Sequence, residues 1–456
     1  DRARLLKSAG QADCLSAYLS LLGRIAAFID GDDADAATEP EVAMASPAAR
    51  LAALGNGLLA DIRVVAIELE ADEDGPAIFE ALNDRGAPLD ASDLVRNDIV
   101  RRSRAAGEDA ARLIAEFWAP YARDPFWRSD EQMGRTRAPR IDNLLRCHLV
   151  EASGDLVSPN RIFHAHRTFV TGQPRPFPSV RAELESLAAA AKAYREFAEA
   201  CGDAPLQRLG RRLAPWAPSA LVPPILAIAG HAMATADAKA RAYDLLAGFL
   251  VRRTICGLSR KNLHRVAAGI CRALARAESD IDAALLRHLA LQSGPDARWP
   301  NDHRFAIGWT EAPIFDRDGA QRALALLVEL EAAESGRDAA AILAERPQVD
   351  HVMPQDWSGP GRARWPDPPA AASGALDDAF RRREQAIASI GNLALIEPNL
   401  NAKLGNAGFA DRRPIYARSR YLTTKGLARR DDWDEDAILK RAQAWLPTAT
   451  RLWPGP

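Results

Sequence analysis

Between about residue 104 and residue 345 the chain is rich in Ala, Leu and Arg, and apolar residues recur three and four apart in 109–121, 180–200, 236–254, 261–276 and 318–333. That spacing draws one apolar stripe along each helix, and such a stripe has to be buried against another element. Pro-rich stretches at 172–178 and 213–224 break the run into separate helices. No fixed period repeats, so a helical bundle is expected rather than a solenoid.

A chain of 456 residues exceeds what one core usually serves. About two or three units are expected. With 48% hydrophobic and 26% charged residues, extended disorder is not expected. No run approaches the roughly 20 apolar residues of a membrane span, and the opening "DRARLLKSAGQADCL" lacks the charged-then-apolar layout of a signal peptide. A cytoplasmic location without a membrane partner is the expectation. The five cysteines are scattered, odd in number and form no CxxC pair, which suggests neither a disulfide framework nor a thiolate zinc site. Because the chain opens on Asp in what reads as mid-domain helix, a truncated N-terminus is expected.

The net charge of −2 argues against a protein that coats nucleic acid. Its distribution is uneven. From Gln348 to Pro456 there are 16 Lys and Arg against 13 Asp and Glu, or +3, which leaves −5 on the rest. A mildly basic C-terminal part on an acidic body permits local phosphate contacts.

Ahead of the helical stretch, residues 11–30 have helical spacing, 31–48 read as a solvated loop and "IRVVAIELE" (62–70) as a strand. In "GPAIFEALNDRGAPLDASDLVRNDIVRR" (75–102), Ile78, Phe79 and Leu82 share a helix face that stops at "NDRG", where Gly86 suits a left-handed cap. "DASD" then offers N-cap side chains for a second helix.

Past residue 345 the pattern changes. "VDHVMPQDW" (349–357) is extended and places Asp350 and His351 side by side; a Pro/Gly-rich loop (357–374), a helix, a strand "NLALI" and a helix from near Asn401 come after it. Strand, long loop, strand, helix make a small ββα unit with its polar residues at the joints. Phosphodiester hydrolysis needs a base near neutral pKa, which an imidazole supplies, and a hard cation on one or two oxygen ligands. His351 suits the base. Asp350 and Asn401 suit Mg²⁺ (or Mn²⁺), and Asn392 suits fixing the loop that orients His351.

"DHVMPQ", "GN" at 391–392 and Asn401 nine residues after Asn392 resemble the His-Asn-Asn version of the HNH (ββα-metal) endonuclease motif. "NAKLGNAGFADRRPIYARSRYLTTKGLA" and "WPNDHRF" (299–305) are similar to the C-terminal nuclease domain of GmrSD-type, modification-dependent restriction enzymes. "IFEALNDRGAPLDASDLVRNDIV" resembles a signature of the ParB-like nucleotide-hydrolysing domain that precedes that nuclease. The resemblance covers about 60–103 and 297–445. It implies a divalent-metal DNA endonuclease of bacterial defence against foreign or modified DNA, with His351 and Asn392 catalytic and Asp350 and Asn401 on the metal. It also implies a nucleotide or sensor loop at Asn83, Arg85, Gly86 and Asp93. The family's upstream Asp-Gly-Gln-Gln-Arg motif is absent, so a nucleoside triphosphate is expected only if that motif is supplied.

Each of these features has a plainer reading. An isolated Asp-His pair is usually a surface or capping feature, and the two ordered Asn residues are what lift it above that. "NDRG" alone is a helix stop. Arginine clusters are usually solvated helix faces, although Arg412, Arg413 and Arg418 flank the helix of Asn401, where DNA-phosphate contact is the functional reading. His164 and His166 ("FHAHR") read as a strand-borne surface pair, since no ligand partner lies at spacing. The expected architecture is mainly α with small α+β parts: a ParB-like remainder (1–103), a helical body (104–345) and an HNH unit (346–456). The alternative is a DNA-binding or regulatory module that does not cut. Cutting both strands with one site per chain asks for two protomers, as in a homodimer, or two turnovers, and the sequence leaves both open.

Overall fold

Short polar side chains set ahead of apolar stripes start most of the long helices. The computed structural model describes residues 13–31, 46–63, 90–133, 136–315, 319–357, 365–368 and 376–456. The chain divides into two compact units, residues 1–86 and 87–456. In the first, α1 (Asp13–Asp30) packs with α2 (Pro47–Asn56), whose N-cap Ser46 accepts a hydrogen bond from the Ala49 amide. From residue 64 the strand expected over 62–70 lies outside the described residues, and so do Asn83, Arg85 and Gly86.

The second unit opens with α3 (Ala91–Ala105). Val95 and Ile99 of α3 belong to the main core, so residues 90–103 pack with the helical body, whereas the sequence alone assigns them to an N-terminal domain ending at 103. The body adds α4 (Arg140–Ser153), α5 (Ile162–Thr171), α6 (Val180–Ala198), α7 (Ala204–Leu213), α8 (Val222–Gly230), α9 (Ala236–Ile255), α10 (Leu263–Ala275), α11 (Ile281–Ala290), α12 (Asp302–Glu311) and α13 (Ala320–Ser335). Ser179 and Thr235 cap α6 and α9 by accepting from the amides of Ala182 and Ala238. At the centre, α4 is buried without a break from Ile141 to Val150 and touches α3, α5, α6, α8 and α10. Two of its buried polar residues are held inside: Asp142 accepts from the first amides of α3, Ala91 and Ser92, and Arg146 donates to the Val157 carbonyl. The Pro-rich break at 213–224 is shorter than expected, because Pro223 and Pro224 occupy the first turn of α8, where a missing amide hydrogen is tolerated. A hairpin of β1 (Asp130–Met133) and β2 (Thr136–Pro139) also stands in the body.

Beyond the body lie β3 (Gln348–His351), α14 (Leu376–Ala388), β4 (Leu393–Ile396), α15 (Pro398–Leu404), α16 (Phe409–Tyr416) and α17 (Glu435–Leu452). β3 and β4 form a two-stranded antiparallel sheet. Two cores serve this region. Leu393, Leu395, Trp445, Ala449 and Trp453 join the main core of the body, while a smaller cluster around Met353, Leu400, Tyr416 and Trp433 is drawn wholly from residues 352–438.

Gly391 sits against α17 so closely that an added Cβ would lie 2.2 Å from the Ile438 carbonyl oxygen. Backbone cannot yield as a side chain tip does. Gly391→Ala is expected to cost about 1–3 kcal/mol through overpacking. An unfolding midpoint in urea equal to wild type would show that α17 is free to shift.

Candidate active site

The register of the hairpin sets His351 opposite Leu393 and Asp350 opposite Ala394. Strand pleating sends Gln348 and Asp350 to one face and Val349 and His351 to the other. Asn392, fully buried, immediately precedes β4. Its carboxamide oxygen accepts from the Met353 amide (2.8 Å) and the Trp433 indole (3.0 Å), and its nitrogen donates to the carbonyls of Met353 (2.9 Å) and Ile387 (3.0 Å). Two donors and two lone pairs are all that the group has. The turn after His351 is therefore held through both backbone groups of Met353.

Arg441 fixes the other side of that junction. Its buried guanidinium donates to the carbonyls of Gly391 (2.9 Å), Leu393 (2.8 Å) and Thr423 (3.2 Å) and lies 4.2 Å from the ring centre of Trp445. Burial lowers its pKa to about 9.

The His351 ring meets Phe315 edge-on, 4.5 Å between centroids. Phe315 is held there by the Ala388 carbonyl, which accepts from the amides of both Ile314 and Phe315. Nε2 of His351 is buried and, among the described residues, has no hydrogen-bond partner. Burial first, and the charge of Arg412 second, depress the imidazole pKa to about 4. At neutral pH the ring is uncharged.

Asp350 is buried within a charged cluster. Arg412 Nη1 lies 3.2 and 3.1 Å from its two carboxylate oxygens, and the Tyr416 hydroxyl donates to Oδ2 at 2.7 Å. The same guanidinium donates to the His351 carbonyl (2.8 Å), the Ala407 carbonyl (3.0 Å) and the Gly405 carbonyl. Burial pushes the Asp350 carboxyl upward against Arg412 and Tyr416, whereas Tyr416 and Asp350 outweigh burial and hold Arg412 above its ordinary range. The guanidinium stays charged throughout the working range.

Asn401, on α15, donates from Nδ2 to Gln348 Oε1 at 2.8 Å. That places it over the face of β3 that also carries Asp350. No described residue donates to its Oδ1. Among the described residues no side-chain bond joins His351 to Asp350 or Asn401, and no group of three or more His, Cys, Asp or Glu could hold a metal ion.

Arg412 corrects the expectation of DNA-phosphate contact: 1% exposed and bonded on every nitrogen, it cannot reach a ligand. Its partner Asp350 lies 62 residues upstream, which explains why a sequence-local view misses the burial. Arg413 is part-exposed and 3.6 Å from Asp431. Arg418 is exposed, with no partner among the described residues. Asp93 is exposed in the first turn of α3. Trp357 packs on Phe380 and under Arg383. His164 and His166 stand on a helix, α5, and His166 is buried: its Nε2 lies 2.8 Å from Glu183, which also holds Arg102. Sequence alone does not single out Phe315, Tyr416, Trp433 or Arg441. One signal is available for Tyr416, since Arg412, Tyr416 and Ser419 repeat four and three apart and mark a polar stripe turned inward.

No curated protein matches the chain. Among the described residues no helix is long and apolar enough to cross a membrane. Residues 299–446, about a third of the chain, match the family described as GmrSD restriction endonucleases, C-terminal domain. The segment that carries Asp350, His351, Asn392 and Asn401 is thus similar to a restriction-endonuclease-type nuclease domain.

Proposed function

We propose that this segment is an HNH-type nuclease that hydrolyses DNA phosphodiester bonds with the help of a divalent cation, in bacterial defence against foreign or modified DNA. The observation that carries the reading is the buried Asn392, which clamps the turn just past a His351 whose Nε2 has no protein partner among the described residues. An uncharged imidazole held in that way can take a proton from water.

The residues fit a hard cation. All candidate donors are oxygens, Asn401 Oδ1 is uncommitted among the described residues, and Asp350 Oδ1 meets only the longest of the three donor contacts. One carboxylate with waters completing the shell is a common Mg²⁺ arrangement. Asp350 and Asn401 would hold Mg²⁺ or Mn²⁺, and the cation, when bound, would neutralise charge on the phosphate and the departing oxygen. Phosphate would lie across the end of β3, where the faces of Asp350 and His351 meet, with part-exposed Arg413 and exposed Arg418 toward the DNA backbone. Residues 1–86, with Asn83, Arg85 and Gly86, would sense or gate, using a nucleoside triphosphate only if the absent motif is supplied. Cutting both strands would take two protomers or two turnovers.

A second reading, a module that binds DNA without cutting it, draws on the Arg412 contact to Asp350, which already neutralises the one carboxylate. Incubating the protein with supercoiled plasmid, modified and unmodified, separates the two. Mg²⁺-dependent conversion to open-circle or linear DNA, abolished by EDTA, is expected. A shift in DNA mobility with no conversion would establish the binding module.

A further inference from the structure

We propose that Tyr416, through its hydroxyl, is a positioning residue that sets the affinity of Asp350 for the divalent cation; the inference rests on the metal reading above. Tyr416 is fully buried, yet its polar atom faces neither water nor backbone. It accepts from Arg412 Nη1 at 3.1 Å and donates to Asp350 Oδ2 at 2.7 Å. The three groups form a closed ring, since Arg412 also reaches both carboxylate oxygens.

The ring is asymmetric, and the asymmetry has a use. Oδ2 receives the hydroxyl and the nearer guanidinium contact, whereas Oδ1 receives one contact at 3.2 Å. The last torsion of an aspartate is broad and nearly two-fold. Arg412 straddles the carboxylate and resists its rotation little. The hydroxyl is directional, and it pins Oδ2 inward so that Oδ1 keeps a lone pair for a ligand. Partners of this kind around metal-bound carboxylates are typically worth about 10–100-fold in metal affinity. Arg412 also acts on the backbone, where its bonds to the carbonyls of Gly405 and Ala407 tie the turn that ends α15, the helix of Asn401, to the His351 carbonyl. One guanidinium thereby sets the spacing between both proposed ligand residues. Replacing it would disturb too many bonds for a clean test, so the test falls on Tyr416.

Mn²⁺ binding to the full chain, without DNA, is measured by calorimetry for wild type, Tyr416→Phe and Asp350→Asn, with thermal unfolding of each. The expected result is Mn²⁺ affinity about 10–100-fold weaker in Tyr416→Phe and none detectable in Asp350→Asn. In cleavage, Tyr416→Phe should need more Mg²⁺ in the same proportion and regain its rate at saturating Mg²⁺. Wild-type affinity in Tyr416→Phe beside lost binding in Asp350→Asn overturns the positioning role and leaves the metal reading standing. No Mn²⁺ binding by wild type, or unchanged binding by Asp350→Asn, overturns the metal reading and the inference with it. Should Tyr416→Phe unfold, 3-fluorotyrosine at 416 takes its place, because it keeps the shape and alters only the acidity of the hydroxyl; unchanged affinity there also overturns the role.

Discussion

His351→Ala should slow plasmid cleavage by about 10²–10⁴-fold, the usual worth of a positioned general base, while leaving the fold in place. The structural cost is confined to the edge contact with Phe315, because the ring is only part-buried and its Nε2 has no hydrogen bond among the described residues to lose. The pH dependence comes from the same environment. With its pKa depressed to about 4 by burial and then by Arg412, His351 stays an uncharged base well below neutrality. Cleavage at saturating Mg²⁺ should hold its plateau to near pH 5 and fall as the imidazole protonates around 4. An ordinary histidine would lose activity near its unperturbed pKa of about 6.5. Stability moves in the same sense: the unfolded chain binds this proton more tightly, so the contribution is complete above about 6.5 and is lost as pH falls from there toward 4. A variant that still cuts at the wild-type rate would remove His351 from the chemistry.

The largest loss of stability is expected from Arg412→Met, about 3–5 kcal/mol at neutral pH, since it leaves the buried Asp350 carboxylate without its counter-charge. Three carbonyls, of His351, Gly405 and Ala407, lose a donor as well. Adding Asp350→Asn to Arg412→Met should recover part of the loss, because a neutral amide removes the unpaired charge. Lower pH should narrow the gap between wild type and Arg412→Met as the isolated carboxyl protonates. Urea unfolding monitored by tryptophan fluorescence reads all of these. A single variant within about 1 kcal/mol of wild type would mean that Asp350 reaches water and that the cluster is not a closed one.

Much of the helical body is legible because its signals are local. Ser179 and Thr235 cap stripes of regular spacing, and α6, α9, α10 and α13 stand close to where the periodicity puts them. The hairpin of β1 and β2 escapes such a reading, since "DEQM" and "TRAP" are four-residue strands without apolar alternation. α4 escapes it for the opposite reason: it is buried on all sides and so carries no single stripe. In the candidate site, the order of Asp350, His351, Asn392 and Asn401 is visible in the chain. What Asn392 bonds is not visible, because its partners Met353 and Trp433 lie 39 and 41 residues away. Arg412 and His166 mislead in the same way, their burial being decided by Asp350 and Glu183 from distant parts of the sequence.

The C-terminal helix bears on the order in which the molecule can be made. Trp453 packs 5.6 Å from Trp309, and its carbonyl, with that of Leu452, accepts from Arg252 and Arg212 deep in the body. Asp244 and Glu329 pair with Arg212, and Asp302 pairs with Arg252, but these last carbonyl acceptors arrive only once residues 452 and 453 have left the ribosome. The hydrogen bonds of the body are thus completed by residues that follow the site in sequence, unlike those of an N-to-C succession of independent domains. The residues proposed for chemistry at 350–401 are therefore made before α17, whose Arg441 bonds the carbonyls of Gly391 and Leu393 on either side of Asn392.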